Sequence, residues 1–184
     1  RTTYTEAFPV MKEFGFPANV AVNPGTLTYS AYMELSHLRE LHEAGWSLVS
    51  HTMNHARLTE LTVAQIELEL RGAKEFLDEQ GFRGADVFVV PYHDWTERER
   101  EVVSRYHRAA RGVSANLFAT DSLVSWMPSL PYDLTGMEAD SLPFTTVEGR
   151  DRLRALLQRT VDEGLFIDLF FHHMPPERVG ALRE

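Results

Sequence analysis

The sequence predicts an α/β fold of parallel strands with helices outside them, and three observations carry the prediction. Short apolar runs of strand length alternate with apolar stripes at helical spacing. Glycines stand where the stripes end. Three polar clusters, Ser50–His55, Pro91–Asp94 and His172–His173, each follow a run read as a strand. The carboxyl edge of parallel strands is where such folds gather ligands. The rhythm fits an open doubly wound sheet and a barrel equally, and 184 residues suit a single domain.

Ala7, Val10, Met11 and Phe14 recur at helical spacing after threonines able to cap, and Gly15 stops this first helix. Ala18 to Val22 reads as a short buried strand. A second helix from about Ser30 carries Ala31, Leu35, Leu38 and Leu41 and closes at Gly45. Trp46 to Val49 is the next strand and runs into Ser50-His51-Thr52-Met53-Asn54-His55. Thr62 to Gln65 matches a capping box, in which each side chain satisfies the other residue's backbone N–H. Ile66, Leu70, Ala73 and Leu77 then hold one apolar face until Gly81.

Val87 to Val90 is apolar at every position, as suits a strand buried on both faces, and it ends in Pro91-Tyr92-His93-Asp94. Thr96 to Glu99 is a second capping box. From Ala115 to Thr146 the periodicity fails amid Pro128, Pro131 and Pro143, which predicts a long loop with room for a short strand. Loops of that length more often serve as functional lids or walls than as spacers. Thr145 to Glu148 can cap a last helix with Leu153, Leu156, Leu157, Thr160 and Val161 inward and Gly164 at its end. Leu165 to Phe171 is the final strand. His37, His42 and His107 fall on helix surfaces or ends, where solvated side chains are expected.

Composition narrows the function. A hydrophobic share of 43% and a charged share of 24% are ordinary for a folded globular chain. A net charge of −9 with no clustered Lys and Arg argues against a nucleic-acid partner. The absence of cysteine excludes disulfides, thiolate metal sites and a thiol nucleophile. No apolar run approaches the roughly 18 to 20 residues of a membrane span.

Taken singly, each polar cluster reads as a loop after a strand; three on one rim read as a site. His51 and His55 stand four residues apart, a spacing that lets two neutral imidazoles on one helical turn converge on an ion. Zinc is the first expectation. Without cysteine the donors must be nitrogen and carboxylate oxygen, which also admits cobalt, nickel or iron.

The run Gly45-Trp46-Ser47-Leu48-Val49-Ser50-His51-Thr52-Met53-Asn54-His55, followed by Leu58, Leu61 and Gln65 to Leu70, resembles the second motif of the polysaccharide deacetylases. These are the NodB-homology enzymes of carbohydrate esterase family four. Phe88-Val89-Val90-Pro91-Tyr92 is similar to their third motif and Leu169-Phe170-Phe171-His172 to their fifth, and Arg1 to Val20 resembles the stretch after their first. The resemblance implies a distorted, incomplete β/α barrel holding a divalent metal, usually zinc, through an aspartate and two histidines. By match the histidines are His51 and His55. It further implies that water activated by the metal attacks an N-acetyl group, that the Tyr92 backbone N–H helps hold the oxyanion, and that His172 protonates the departing amine. Pro91, His93, Asp94 and Trp126 are the candidates for touching an N-acetylated glycan. The family prior for location is the cell envelope or outside.

The match also breaks. The family's first motif carries two adjacent aspartates, a general base and the third ligand, which are not in these 184 residues; the resemblance places them just before Arg1, so an N-terminally truncated domain is expected. Many members have an arginine where this chain has Val89, and Arg108 or Arg111 could replace it, although an exposed arginine is the simpler expectation for each. His93 replaces a usual glycine and could add a ligand. The fourth motif has no clear counterpart; Asp121, Trp126 and Asp168 are candidates, with Asp168 more simply a structural group in the barrel floor. Two rival functions remain, a C–N hydrolase of small amides or ureides and a glycan-binding remnant without turnover.

Overall fold

The computed structural model describes residues 1–116, 132, 134–140, 146–164 and 166–181. Six strands, β1 (Asn19–Val22), β2 (Ser47–Ser50), β3 (Val87–Val89), β4 (Ala109–Asn116), β5 (Leu134–Glu138) and β6 (Leu169–Phe170), form one sheet. They lie in chain order and every neighbouring pair is parallel. Unbroken order is the path of a β/α barrel, since a doubly wound sheet reverses at a switch point. Among the described residues β1 and β6 are not paired.

The helices are α1 (Phe8–Glu13), entered through a π-helical turn at Thr3–Ala7, then α2 (Leu35–Glu43), α3 (Val63–Glu79), α4 (Glu97–Ser104), α5 (Val147–Asp162) and α6 (Pro176–Ala181). The best-patterned sequence packs as expected. Ile66, Leu70, Ala73 and Leu77 of α3 are fully buried, and each larger side chain contributes about 1.5–3 kcal/mol by leaving water. Both capping boxes form: Thr62 with Gln65, and Thr96 with Glu99, whose carboxylate accepts the Thr96 N–H at 2.6 Å. Leu38 and Leu41 join Val20, Val22, Leu48 and Phe8 in one cluster. Ile66 and Leu70 join Phe88, Val90, Val102 and Val103 in a second. Ala7 and Val10 meet Met174 and Val179 in a third cluster.

Several expectations are corrected. The second helix begins at Leu35, because Glu34 caps it and His37 Nδ1 accepts the Glu34 N–H at 3.0 Å; Ser30 and Ala31 lie in an exposed turn before it. β1 is covered on one face only, with Val20 and Val22 buried and Asn19 and Ala21 exposed. β5 is the short strand for which the loop from Ala115 to Thr146 had room, but β4 runs into the start of that loop from Ala109, where no strand was predicted. On α5 the inward stripe is Leu153, Leu156 and Thr160; Leu157 and Val161 sit about 100° round the helix from it and are exposed. α5 is followed by α6, and the final strand shrinks to two residues.

His107 is the sharpest departure. The chain turns inward after α4, placing His107 at 2% exposure with its ring 5.1 Å from Phe88. Burial pushes its pKa down to about 4, so the ring is neutral near pH 7.

Candidate active site

The histidine loop starts where β2 ends. His51 donates its backbone N–H to the Val22 carbonyl at 3.2 Å, and its Nδ1 lies 2.7 Å from the Val89 carbonyl. A carbonyl can only accept, so Nδ1 carries the proton and the lone pair is left on Nε2. Burial pushes the pKa of His51 down to about 3, and the nearby charge of Arg111 works the same way. The ring is therefore a neutral donor with a fixed tautomer, as metal-ligating histidines require.

The spacing to His55 does not work through a helical turn, as the sequence suggested. Thr52 (φ 65°) and His55 (φ 59°) take the left-handed backbone region that non-glycine residues rarely adopt. The two kinks fold the loop until the rings of His51 and His55 meet edge to face at 4.7 Å. Other chain segments hold the kinks. Asn23 Nδ2 donates to the carbonyls of His51 and Thr52, and Gly25 donates its N–H to Met53 O at 2.9 Å. The Glu69 carboxylate on α3 accepts both the N–H and the side-chain amide of Asn54, at 2.8 and 2.7 Å.

A second left-handed pair, Tyr92 (φ 60°) and His93 (φ 54°), follows β3. Among the described residues, all four positive-φ residues other than glycine thus lie on this rim, where strain of about 1–3 kcal/mol each marks an over-determined site. The Tyr92 ring sits 4.7 Å from His55 on one side, and the Arg57 guanidinium lies 4.2 Å from its centroid. Asp94 accepts from Arg57 Nη1 and Thr59 Oγ1, both at 2.8 Å, and so clips the two loops together. Pro91 is buried. His93 turns toward the far side of the rim, 5.2 Å from Phe170 and 6.5 Å from His172, with its buried Nδ1 unpartnered and its pKa pushed down to about 4 by burial.

His172 follows β6, and its partner was missed in the sequence. Asp140, two residues past β5, accepts the His172 backbone N–H at 2.8 Å and lies 2.7 Å from His172 Nδ1; the His173 N–H reaches its other oxygen at 3.3 Å. The missed signal was an acid directly after a strand, Met137-Glu138-Ala139-Asp140. Asp121 and Trp126 lie outside the described residues. Asp168 faces Arg111 at 3.5 Å instead of a histidine, and burial raises its pKa.

Arg111 and Arg108 separate cleanly. Arg108 is 84% exposed and pairs with Asp86. Arg111 is only 12% exposed and runs under the rim with its guanidinium 4.0 Å from the Phe170 ring centroid. It crosses β5 at Gly136, where any Cβ would come within 2.7 Å of Arg111 Cδ and Nη1.

Two arrangements could hold a cation. One is the imidazole pair. The other is Glu138, Asp140 and His172, whose ligand atoms lie within 4.8 Å of one another. In that second group His172 Nδ1 and Asp140 are already bonded to each other. The imidazole pair, two nitrogen donors with the His51 tautomer set by a backbone carbonyl, fits a borderline-soft ion better.

The sequence profile described as polysaccharide deacetylase matches residues 1–110. A relative from Bacillus subtilis (strain 168), YxkH, named as a candidate polysaccharide deacetylase, is 24% identical over 94 residues, 51% of this chain and 34% of that one. The chain thus matches about a third of the length of this curated relative. The Streptococcus pyogenes deacetylase PplD, solved in complex with acetate, superposes with a TM-score of 0.62 at 17% identity over 100% of this chain and 66% of its own. A family 4 carbohydrate esterase from Streptomyces lividans, also with acetate, does so with a TM-score of 0.57 at 16% identity over 96% and 88%. At these identities the two structures show a shared fold.

Proposed function

The chain belongs to the polysaccharide deacetylase family, and from that premise we propose that its rim is part of the active site of a metal-dependent hydrolase removing N-acetyl groups from an amino-sugar polymer or oligomer. The observation that carries the reading is the pair of facing imidazoles, with His51 Nδ1 tied to the Val89 carbonyl.

His51, through Nε2, and His55 would hold the ion, with zinc the first choice. When bound, such an ion polarises the amide carbonyl and makes water nucleophilic near neutral pH. Tyr92, in its left-handed turn, offers its backbone N–H to the carbonyl oxygen as that oxygen gains charge. His172 carries the proton for the departing amine on Nε2, while Asp140 accepts from Nδ1–H and fixes the ring's orientation. The Arg57–Asp94 pair and Thr59 keep the Tyr92 turn in register with the histidine loop. Acetate and a free amine leave.

The test is acetate release from N-acetylated oligosaccharides and from peptidoglycan by the full-length protein, with and without chelator. Chelator-sensitive release that returns with added zinc is expected. No release from any glycan sinks the reading.

A further inference from the structure

We propose that Tyr29 and Tyr32 form a stacking platform for sugar units beyond the one that reacts. The identity of the ligand, an N-acetylated oligosaccharide, rests on the deacetylase reading; the platform rests on the loop itself. Residues 23–34 leave the carboxyl end of β1, the same edge from which the neighbouring strand sends out His51. Tyr29 is 62% and Tyr32 49% exposed, and their rings lie 6.3 Å apart at 55°, a shallow open V.

The exposure is built in. Two successive turns, with the Tyr29 N–H on Thr26 O and the Tyr32 N–H on Tyr29 O, both at 3.0 Å, place the tyrosines side by side. Leu27 before them and Met33 after them pack into the core cluster, so the segment is anchored at both ends. Arg1 Nη1 donates to the carbonyl of Ser30, which stands between the two tyrosines in sequence, at 2.8 Å. The loop also touches the histidine loop directly. At Gly25 a Cβ would strike Asn54 Oδ1 and come within 2.8 Å of the Met53 carbonyl, so only glycine lets the two backbones meet beside His55.

The chemistry selects a sugar. A pyranose presents apolar C–H faces and a rim of hydroxyls, while a tyrosine presents a π face with negative potential and a polar tip. Thr28 and Ser30 are exposed beside the rings and add hydroxyl partners, and Ala31 is too small to cover either face. A pair of large rings held in water by an anchored loop, continuous with a polar rim, fits an extended polar chain better than an apolar peptide.

The experiment titrates N-acetylglucosamine oligomers of increasing length into the full-length protein, the Tyr29→Ala/Tyr32→Ala double variant and the corresponding double Phe variant, by calorimetry. Affinity rises with length in the parent; the double Ala variant loses about tenfold on the longest oligomer, with the loss shrinking as the chain shortens, and the Phe variant keeps most of the gain. Absence of a length-dependent gain in the parent, a gain unaltered by the double Ala change, or a loss equal at all lengths overturns the platform. Acetate release separates the two ideas. Release with unaltered length dependence defeats the platform alone, whereas length-dependent binding without any release defeats the deacetylase reading alone.

Discussion

Replacing Asp140 with Asn should lower kcat for acetate release about a hundredfold while leaving zinc affinity unchanged. Asp140 accepts from His172 N–H at 2.8 Å, from His172 Nδ1 at 2.7 Å and from His173 N–H at 3.3 Å. One Asp140 oxygen takes both His172 contacts; in Asn an amide oxygen in that place keeps them without the carboxylate's charge, and in the flipped orientation the NH2 cannot accept from Nδ1–H. His172 is 64% exposed, so little else fixes its ring. A positioned general acid contributes about 10²–10⁴-fold, and losing the lower end of that range equals about 2.7 kcal/mol of barrier. The assay is steady-state kinetics on one oligosaccharide beside calorimetric zinc titration. An unchanged kcat refutes the role given to the pair. A zinc affinity that falls further in Asp140→Asn than in His51→Ala would put the ion among Glu138, Asp140 and His172 and overturn the imidazole assignment.

His51→Ala should weaken zinc binding by at least about tenfold, read by competition with a chromophoric chelator, because it removes the member of the facing pair whose tautomer a backbone carbonyl fixes. Gly136→Val should cost about 1–3 kcal/mol in urea unfolding, since its side chain would displace Arg111 and Phe170; an unchanged midpoint would mean that Arg111 is not held there. His107 gives a signed pH effect. Its folded pKa of about 4 lies below the ordinary 6.5, so the unfolded chain binds the proton more readily and stability falls as pH drops from about 6.5 toward 4. The limit is about 3 kcal/mol for this one residue, and His107→Leu should flatten that limb of a Tm-against-pH curve.

What could be read in the sequence was local. The capping boxes at Thr62 and Thr96 and the stripe through Ile66 and Leu77 are decided by neighbours within a few residues, and they folded as written. The convergence of His51, Pro91-Tyr92 and His172 on one rim was also legible, because each follows a strand and parallel strands share a carboxyl edge. What escaped depends on partners far along the chain. β4 reads Ala-Ala-Arg-Gly, with little alternation of its own, and gains its place from pairing with β3 and β5. Asp140 meets His172 across 32 residues, so no window of sequence contains the pair. The His51–His55 contact was anticipated for a helical turn and is made instead by two left-handed residues that no spacing rule predicts.

The packing of Ala7 and Val10 against Met174 and Val179 sets the order of events during synthesis. α1 meets these partners only after α5 and β6 have been made. Contacts of such sequence separation form late and bind α1 and α6 into one cooperative unit. Clipping α6 should therefore also loosen α1, which stands beside β1 and the aromatic loop that follows it, so damage at one helix is felt at another far from it in sequence.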